Sequence, residues 1–220
     1  MAFRYSPKIV TDGLVLCLDA ANPKSLISGS TTWNDLTKNN YNGSLINGPT
    51  YSALNNGVLV FDGVDDYILN TINKTNIGSL LTISLWVYPT NAQSGRGILQ
   101  FASSLNNILP FLLLQRSSSS TISWYINGGY RITETVLDNK YTNITLTYNG
   151  TRWSSYINGS LSLSNYIGPI GTNNGDSFYI GNGFNGYFSG RIPYVNIYNR
   201  NLSESEVLQN YNATKSRFGL

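Results

Sequence analysis

An all-β fold of antiparallel strands is predicted by three observations. Turn dipeptides recur along almost the whole length: Asn-Gly begins at Asn42, Asn47, Asn56, Asn127, Asn149, Asn158, Asn174, Asn182 and Asn185, and Asp-Gly at Asp12 and Asp62. Such pairs readily take the left-handed positions that two-residue hairpins need. Segments between them alternate apolar and polar residues with the period of two expected of strands. No long amphipathic helix separates these segments, which excludes parallel βαβ units and leaves a two-sheet sandwich or a closed barrel.

The elements follow in order. Leu14 to Asp19 is an apolar run whose Leu14, Val15, Leu16 and Leu18 surround Cys17, the only cysteine, and mark it as a buried thiol with no internal disulfide. Trp33, before Asn34 and Asp35, reads as an anchor for a long loop between early strands. In Leu81 to Tyr88, one face carries Leu81, Ile83, Leu85 and Val87, and the other Thr82, Ser84, Trp86 and Tyr88. Ser117 to Ser120 forms a polar loop before a strand at Thr121 that runs through Ile126 to Asn127-Gly128. Ile144 to Tyr148 and Trp153 to Ile157 make one hairpin about Asn149-Gly150, and Ser160 to Leu163 extends it beyond Asn158-Gly159 into a meander.

Asn185-Gly186 then supplies a tight turn, and Tyr187 to Tyr198 has the β-branched and aromatic content of a half-buried strand. A helix starts at Ser203. Ser203 and Glu206 have capping-box spacing, and Leu202 and Val207 occupy the positions of a hydrophobic staple. Val207, Leu208 and Tyr211 give this helix a short inward stripe, so it is expected to pack on the sandwich as a latch.

Composition limits the functions open to the chain. Its 220 residues suit one large β domain spanning 1–220, and no linker interrupts the turn signals. The net charge of +3 comes from scattered bases without a run, which argues against nucleic-acid binding. Charged residues make up 11% of the chain, so the surface is polar but weakly charged. That suits apposition to a protein or a neutral glycan, and codon bias in an AT-rich genome explains the Asn and Tyr excess equally well. The start, Met1 to Lys8, lacks the apolar core of a secretory signal, and the longest apolar runs are too short to span a bilayer. The chain therefore reads as complete and made in the cytoplasm.

Without histidine there is no Ser-His-Asp or Cys-His catalysis and no imidazole metal site. Glycoside hydrolysis ordinarily needs two carboxyl groups flanking the scissile bond, and the only glutamates are Glu134, Glu204 and Glu206. Glu204 and Glu206 belong to the first turn of the capped helix, where the dipole favours them. Glu134 reads as a solvated strand residue. An enzyme is not expected.

Leu14 to Pro23, Thr32 to Leu36, Phe61 to Tyr67, Thr82 to Val87, Tyr179 to Asn182, and Asn185 to Ile192 with the helix beyond carry a family signal. Through them the chain resembles the laminin-G-like members of the concanavalin A-like lectin/glucanase superfamily, particularly those found as structural proteins of bacteriophages and related viruses. Residues 89–120 carry no such signal. The resemblance implies a jelly-roll sandwich of two curved antiparallel sheets, with Leu14 to Asp19 beside Arg191 to Tyr198. It also implies a non-enzymatic virion component, such as a tail-fibre, decoration or vertex protein, partnered by other virion proteins and by cell-surface glycans, with a homo-oligomer left open. A bacterial extracellular carbohydrate-binding module or adhesin is the alternative, and a divergent glycosidase ranks third.

Laminin-G-like domains often hold calcium through loop carboxylates, which draws attention to Asp62, Asp65 and Asp66. The turn at Asp62-Gly63 accounts for these residues more simply, since such side chains bond nearby amides. Asp19 and Asp176 are weaker metal candidates, and no firm ligand set emerges. For carbohydrate the candidates are Trp86, Tyr88 and Tyr125. Each points away from the apolar face of its strand, so the rings fit an exposed platform for sugar CH faces. Ordinary packing beneath covering loops is the competing reading.

Overall fold

The computed structural model describes residues 7–90, 94–104, 111–127, 129–168 and 177–220. In chain order its strands are β1 (Leu14–Asp19), β2 (Thr32–Trp33), β3 (Gly43–Ile46), β4 (Thr50–Ser52), β5 (Val58–Asp62), β6 (Tyr67–Asn70), β7 (Leu81–Pro89), β8 (Gly97–Ala102) and β9 (Leu112–Arg116). There follow β10 (Thr121–Ile126), β11 (Tyr130–Thr135), β12 (Thr142–Tyr148), β13 (Arg152–Ile157), β14 (Ser160–Ile167), β15 (Ser177–Ile180), β16 (Asn182–Gly183), β17 (Gly186–Tyr187) and β18 (Ser189–Tyr198). Two α-helices are present among these residues: a single turn, α1 (Lys74–Ile77), and α2 (Glu204–Thr214), which runs into a 3-10 turn at Lys215–Phe218.

The strands form two sheets. One has eight strands in the order β14-β13-β12-β7-β18-β5-β4, with β1 also on β18, and the other has ten, ordered β11-β10-β9-β8-β15-β6-β3-β2 with β16 and β17 at its side. Pairing is antiparallel except at one bridge, Tyr187 to Gly97. Leu81, Ile83, Leu85 and Val87 meet Ile122, Trp124 and Ile126 of the facing sheet in one continuous core that also holds Trp33 and Trp153. Trp33 is thus a core residue between the sheets as well as the start of its loop. The chain is a two-sheet, mainly antiparallel β-sandwich about one core.

The expected neighbours at the two ends are found. Leu14 pairs with Tyr198 and Asp19 with Tyr194, while the earlier half of β18 pairs with β5 on the same side. Asn158 and Gly159 both take positive φ, 50° and 77°, and turn β13 tightly into β14. A Cβ on Gly159 would stand 2.9 Å from Tyr211 of α2, so this turn also has to stay bare for the helix to pack. Asn149 works differently, its side chain accepting the amides of Thr151 at 3.1 Å and Arg152 at 2.8 Å.

α2 begins as its sequence predicts. Ser203 and Glu206 complete a capping box, and Leu202 and Val207 are buried together against Val10, Tyr156 and Tyr198. Leu208 is a correction: it faces solvent at 44% exposure, because the inward stripe passes through Val207, Asn210 and Tyr211. The strand predicted at Tyr187 to Tyr198 is interrupted at Phe188, whose ring is buried in the core, and the turn before β17 falls on Phe184-Asn185. α1 was not legible from periodicity, being one turn held by Asn73 and Asn76 in a box of their own. The Asn174-Gly175 turn and Asp176 lie outside the described residues. No helix among the described residues is long and apolar enough to cross a membrane.

Candidate functional site

The outer face of the eight-stranded sheet carries the site. Trp86 and Tyr88 of β7 point there, as their alternation requires, and Arg191 of β18 is the cross-strand partner of Tyr88. The guanidinium of Arg191 lies 4.5 Å from the centre of the Tyr88 ring, a cation–π contact that fixes both. Tyr141, just before β12, stands 4.7 Å from Tyr88, and Phe218 of the C-terminal 3-10 turn 4.5 Å from Tyr141. Phe218 in turn lies 4.3 Å from Trp86, and Trp86 stacks on Tyr211 of α2 at 5.7 Å. A file of five rings therefore crosses the sheet, from a half-buried end at Tyr88 through the buried Trp86 to Tyr211.

Trp86 corrects the expectation of an exposed platform. It is 0% exposed, and its indole N–H donates to Thr214 Oγ1 at 2.9 Å. The face on which it stands is roofed by α2 and the 3-10 turn, which is also why Thr82 and Ser84 are buried. Thr82 bonds both ends of the approach to α2, donating to Arg200 O at 2.8 Å and accepting Leu202 N–H at 2.9 Å. Tyr125 is half-buried on β10, opposite Trp124, and so lies on the outer face of the other sheet. The structure thus keeps Trp86 and Tyr88 on one face and places Tyr125 on the opposite one.

Beside Tyr88 the roof stops and a cleft of about 480 Å³ opens. Its wall includes Tyr88, Tyr141, Phe218, Asn139, Lys140 and Asn158. Asn158 is set by a reciprocal pair with Asn143, its N–H donating to Asn143 O at 2.9 Å and its Oδ1 accepting Asn143 N–H at 2.9 Å. Burial raises the pKa of the Tyr141 phenol, and Arg191 beside it opposes that rise. Among the described lining residues there is no Asp or Glu. Aromatic rings, amides and one ammonium are a binding chemistry, suited to stacking and orienting hydrogen bonds. Tyr141 and Phe218 were not singled out from sequence: neither lies in a recognisable strand pattern, and only the fold brings them to Tyr88.

The acidic candidates have structural partners. Asp62 Oδ1 accepts Val64 N–H at 2.8 Å, Asp66 Oδ2 accepts Asp62 N–H at 3.0 Å, and the three carboxylates of Asp62, Asp65 and Asp66 offer oxygens within 4.8 Å of one another. Burial, with Asp62 and Asp65 nearby, raises the Asp66 pKa. A cation here would compete with two backbone amides for carboxylate oxygens, and those bonds account for the cluster as a turn. Asp19 accepts from Arg217 at 2.7 Å and from Ala21 N–H at 2.9 Å. Glu134 is a correction: it is buried, not solvated, because it falls on the inward side of β11 with Ile132 and Val136, where Ser162 of β14 donates to it at 2.6 Å.

Comparison with known proteins identifies the family and the fold. A laminin-G family described as the concanavalin A-like lectin/glucanases superfamily matches residues 62–208. Comparison with curated proteins finds no match. Among solved structures, Trypanosoma rangeli sialidase in complex with sialic acid superposes with a TM-score of 0.74 at 17% identity, over 95% of this chain and 34% of that one. A structure described by the statement that cell entry of botulinum neurotoxin type C depends on interaction with two ganglioside molecules gives 0.69 at 14% identity, over 92% and 51%. The binding domain of Paraclostridial Mosquitocidal Protein 1 gives 0.68 at 21% identity, over 92% and 52%. The chain spans about a third to a half of the length of those chains.

Proposed function

Since the chain belongs to the concanavalin A-like lectin/glucanase superfamily, we propose that it is a non-catalytic glycan-binding domain whose site is the cleft at Tyr88 and Tyr141. The observation that carries this is the lining itself: a row of tilted aromatic rings with amides at the rim and no Asp or Glu among the described lining residues. Glycosidic bond cleavage asks for a paired acid and base, whereas recognition asks for ring faces and hydrogen-bond donors. The platform expected at Trp86, Tyr88 and Tyr125 narrows in this proposal to Tyr88, with Tyr141 replacing the buried Trp86. The neurotoxin structure described with two gangliosides supports a lectin role by likeness of fold.

The finer proposal is that the domain is a virion component, such as a tail-fibre, decoration or vertex protein, carried to cell-surface glycans among other virion proteins. It is supported by Leu14 to Pro23 and Thr32 to Leu36, which resemble the opening of the viral members. A second reading, a carbohydrate-binding module or adhesin of a larger bacterial protein, is favoured by the chain spanning only part of the structures it matches.

A glycan array with the purified domain tests the site. Tyr88→Ala is expected to weaken binding by about 1–3 kcal/mol, the range of a lost ring-stacking contact. An array with no bound glycan overturns the proposal, and hydrolysis of any polysaccharide by the pure domain overturns its non-catalytic part. For the virion, mass spectrometry of purified particles is expected to find the chain, and its confinement to the infected-cell cytosol overturns that assignment.

A further inference from the structure

Three arginines among the described residues are held by carboxylates. Arg116 is buried against Asp138 at 2.6 Å, Arg200 pairs with Asp12 and Glu206, and Arg217 pairs with Asp19 at 2.7 Å. Each of these is neutralised by a carboxylate and has a structural task. Lys140 and Arg191 are different: among the described residues neither forms an ion pair, and both stand at the Tyr88–Tyr141 rings, Lys140 in the cleft wall and Arg191 against Tyr88. The lining offers no Asp or Glu to offset them, and its one anionic group among the described residues is the terminal carboxylate of Leu220. A concave surface with a poorly polarisable aromatic floor focuses such charge outward more strongly than a flat, wet one.

We propose that the cleft selects glycans bearing an anionic sugar substituent, a carboxylate or a sulfate, with Lys140 and Arg191 receiving the charge while Tyr88 and Tyr141 take the sugar ring. This rests on the glycan-binding reading of the same cleft and adds the class of ligand. The planar fork of Arg191 suits a carboxylate or sulfate edge, and the ammonium of Lys140 acts as a mobile point charge beside it.

The test is a binding titration of the intact domain with three probes: 3′-sialyllactose, 3′-sulfated lactose and unmodified lactose. At low salt at least one acidic probe is expected to bind about tenfold or more tightly than lactose, and which one does so names the source of the charge. The advantage should shrink towards nothing near 1 M salt, where the Debye length is about 3 Å. Lys140→Gln and Arg191→Gln are each expected to lower the acidic-to-neutral affinity ratio, while Lys24→Gln, on a remote exposed loop, leaves the ratio unchanged. Equal affinity for all three probes, with binding still lost in Tyr88→Ala, overturns the charge selection and leaves the glycan site standing. A salt-insensitive preference unaffected by both substitutions also overturns it. Failure to bind any glycan, on these probes and on the array, removes both readings together.

Discussion

Trp86 makes three contacts with the C-terminal segment: Tyr211 and Phe218 beside its ring, and Thr214 at its nitrogen. Replacing it with Ala removes a fully buried ring and leaves a void under the helix. Trp86→Ala is expected to cost about 3–5 kcal/mol, read from chemical denaturation, with no glycan needed to see it. Cys17 gives a second residue-scale prediction. Burial, with Asp19 nearby, pushes its thiol up to about 12. The native protein should leave a thiol reagent unreacted at pH 8 and react with one equivalent once unfolded; rapid native reaction would mean an open thiol. The buried thiol was legible from its four apolar neighbours. The burial of Trp86 was not, because a period of two says which way a side chain points and nothing about what lies above it. Glu134 failed for a related reason: its Thr neighbours looked like solvent, but the strand phase set by Ile132 and Val136 faces inward.

At the scale of elements, α2 is the most fully specified piece. Ser203→Ala is expected to cost about 0.5–2 kcal/mol by loss of the cap, measured by thermal or denaturant unfolding. Glu206 adds a dependence on pH. A hydrogen-bonded pair with Arg200 and the Ser203 N–H hold its carboxyl at about 2 instead of the ordinary 4.5. Because the folded value is the lower one, its contribution is complete above pH 4.5 and is lost as pH falls towards 2. Glu206→Gln should therefore lower stability at pH 7 and flatten the acid limb of the stability curve between those values. The cap and staple were written in Ser203, Glu206, Leu202 and Val207. Arg200, the stronger partner, was not legible, since only the turn from β18 into α2 swings it back over the first helical turn. The cleft was legible in one residue, Tyr88; its other walls come from segments far apart in sequence.

For the whole molecule, the helix and its 3-10 turn act as the roof of one sheet. Truncation after Tyr198 would uncover Trp86, Thr82 and the apolar group at Val10 and Tyr156, and it is expected to lower the melting temperature and the solubility. An unchanged melting temperature would make the segment beyond Tyr198 a tail with no part in holding the fold. The antiparallel sandwich itself was written in the turn dipeptides and alternation, and the adjacency of β1 and β18 in the family resemblance. The order of strands across each sheet was not, because alternation is the same whichever neighbour a strand takes.

β18 is the last strand to be synthesised, yet it lies between β7 on one side and β5 and β1 on the other. Until residue 198 has left the ribosome, this sheet exists as separated pieces with unpaired edges. At about 5–20 residues per second, β1 waits on the order of ten seconds or more for its partner. Closure of this sheet is therefore governed by a single late strand, and throughout that wait Leu16 and Leu18 have to be kept from other chains by the cell rather than by the sheet they will join.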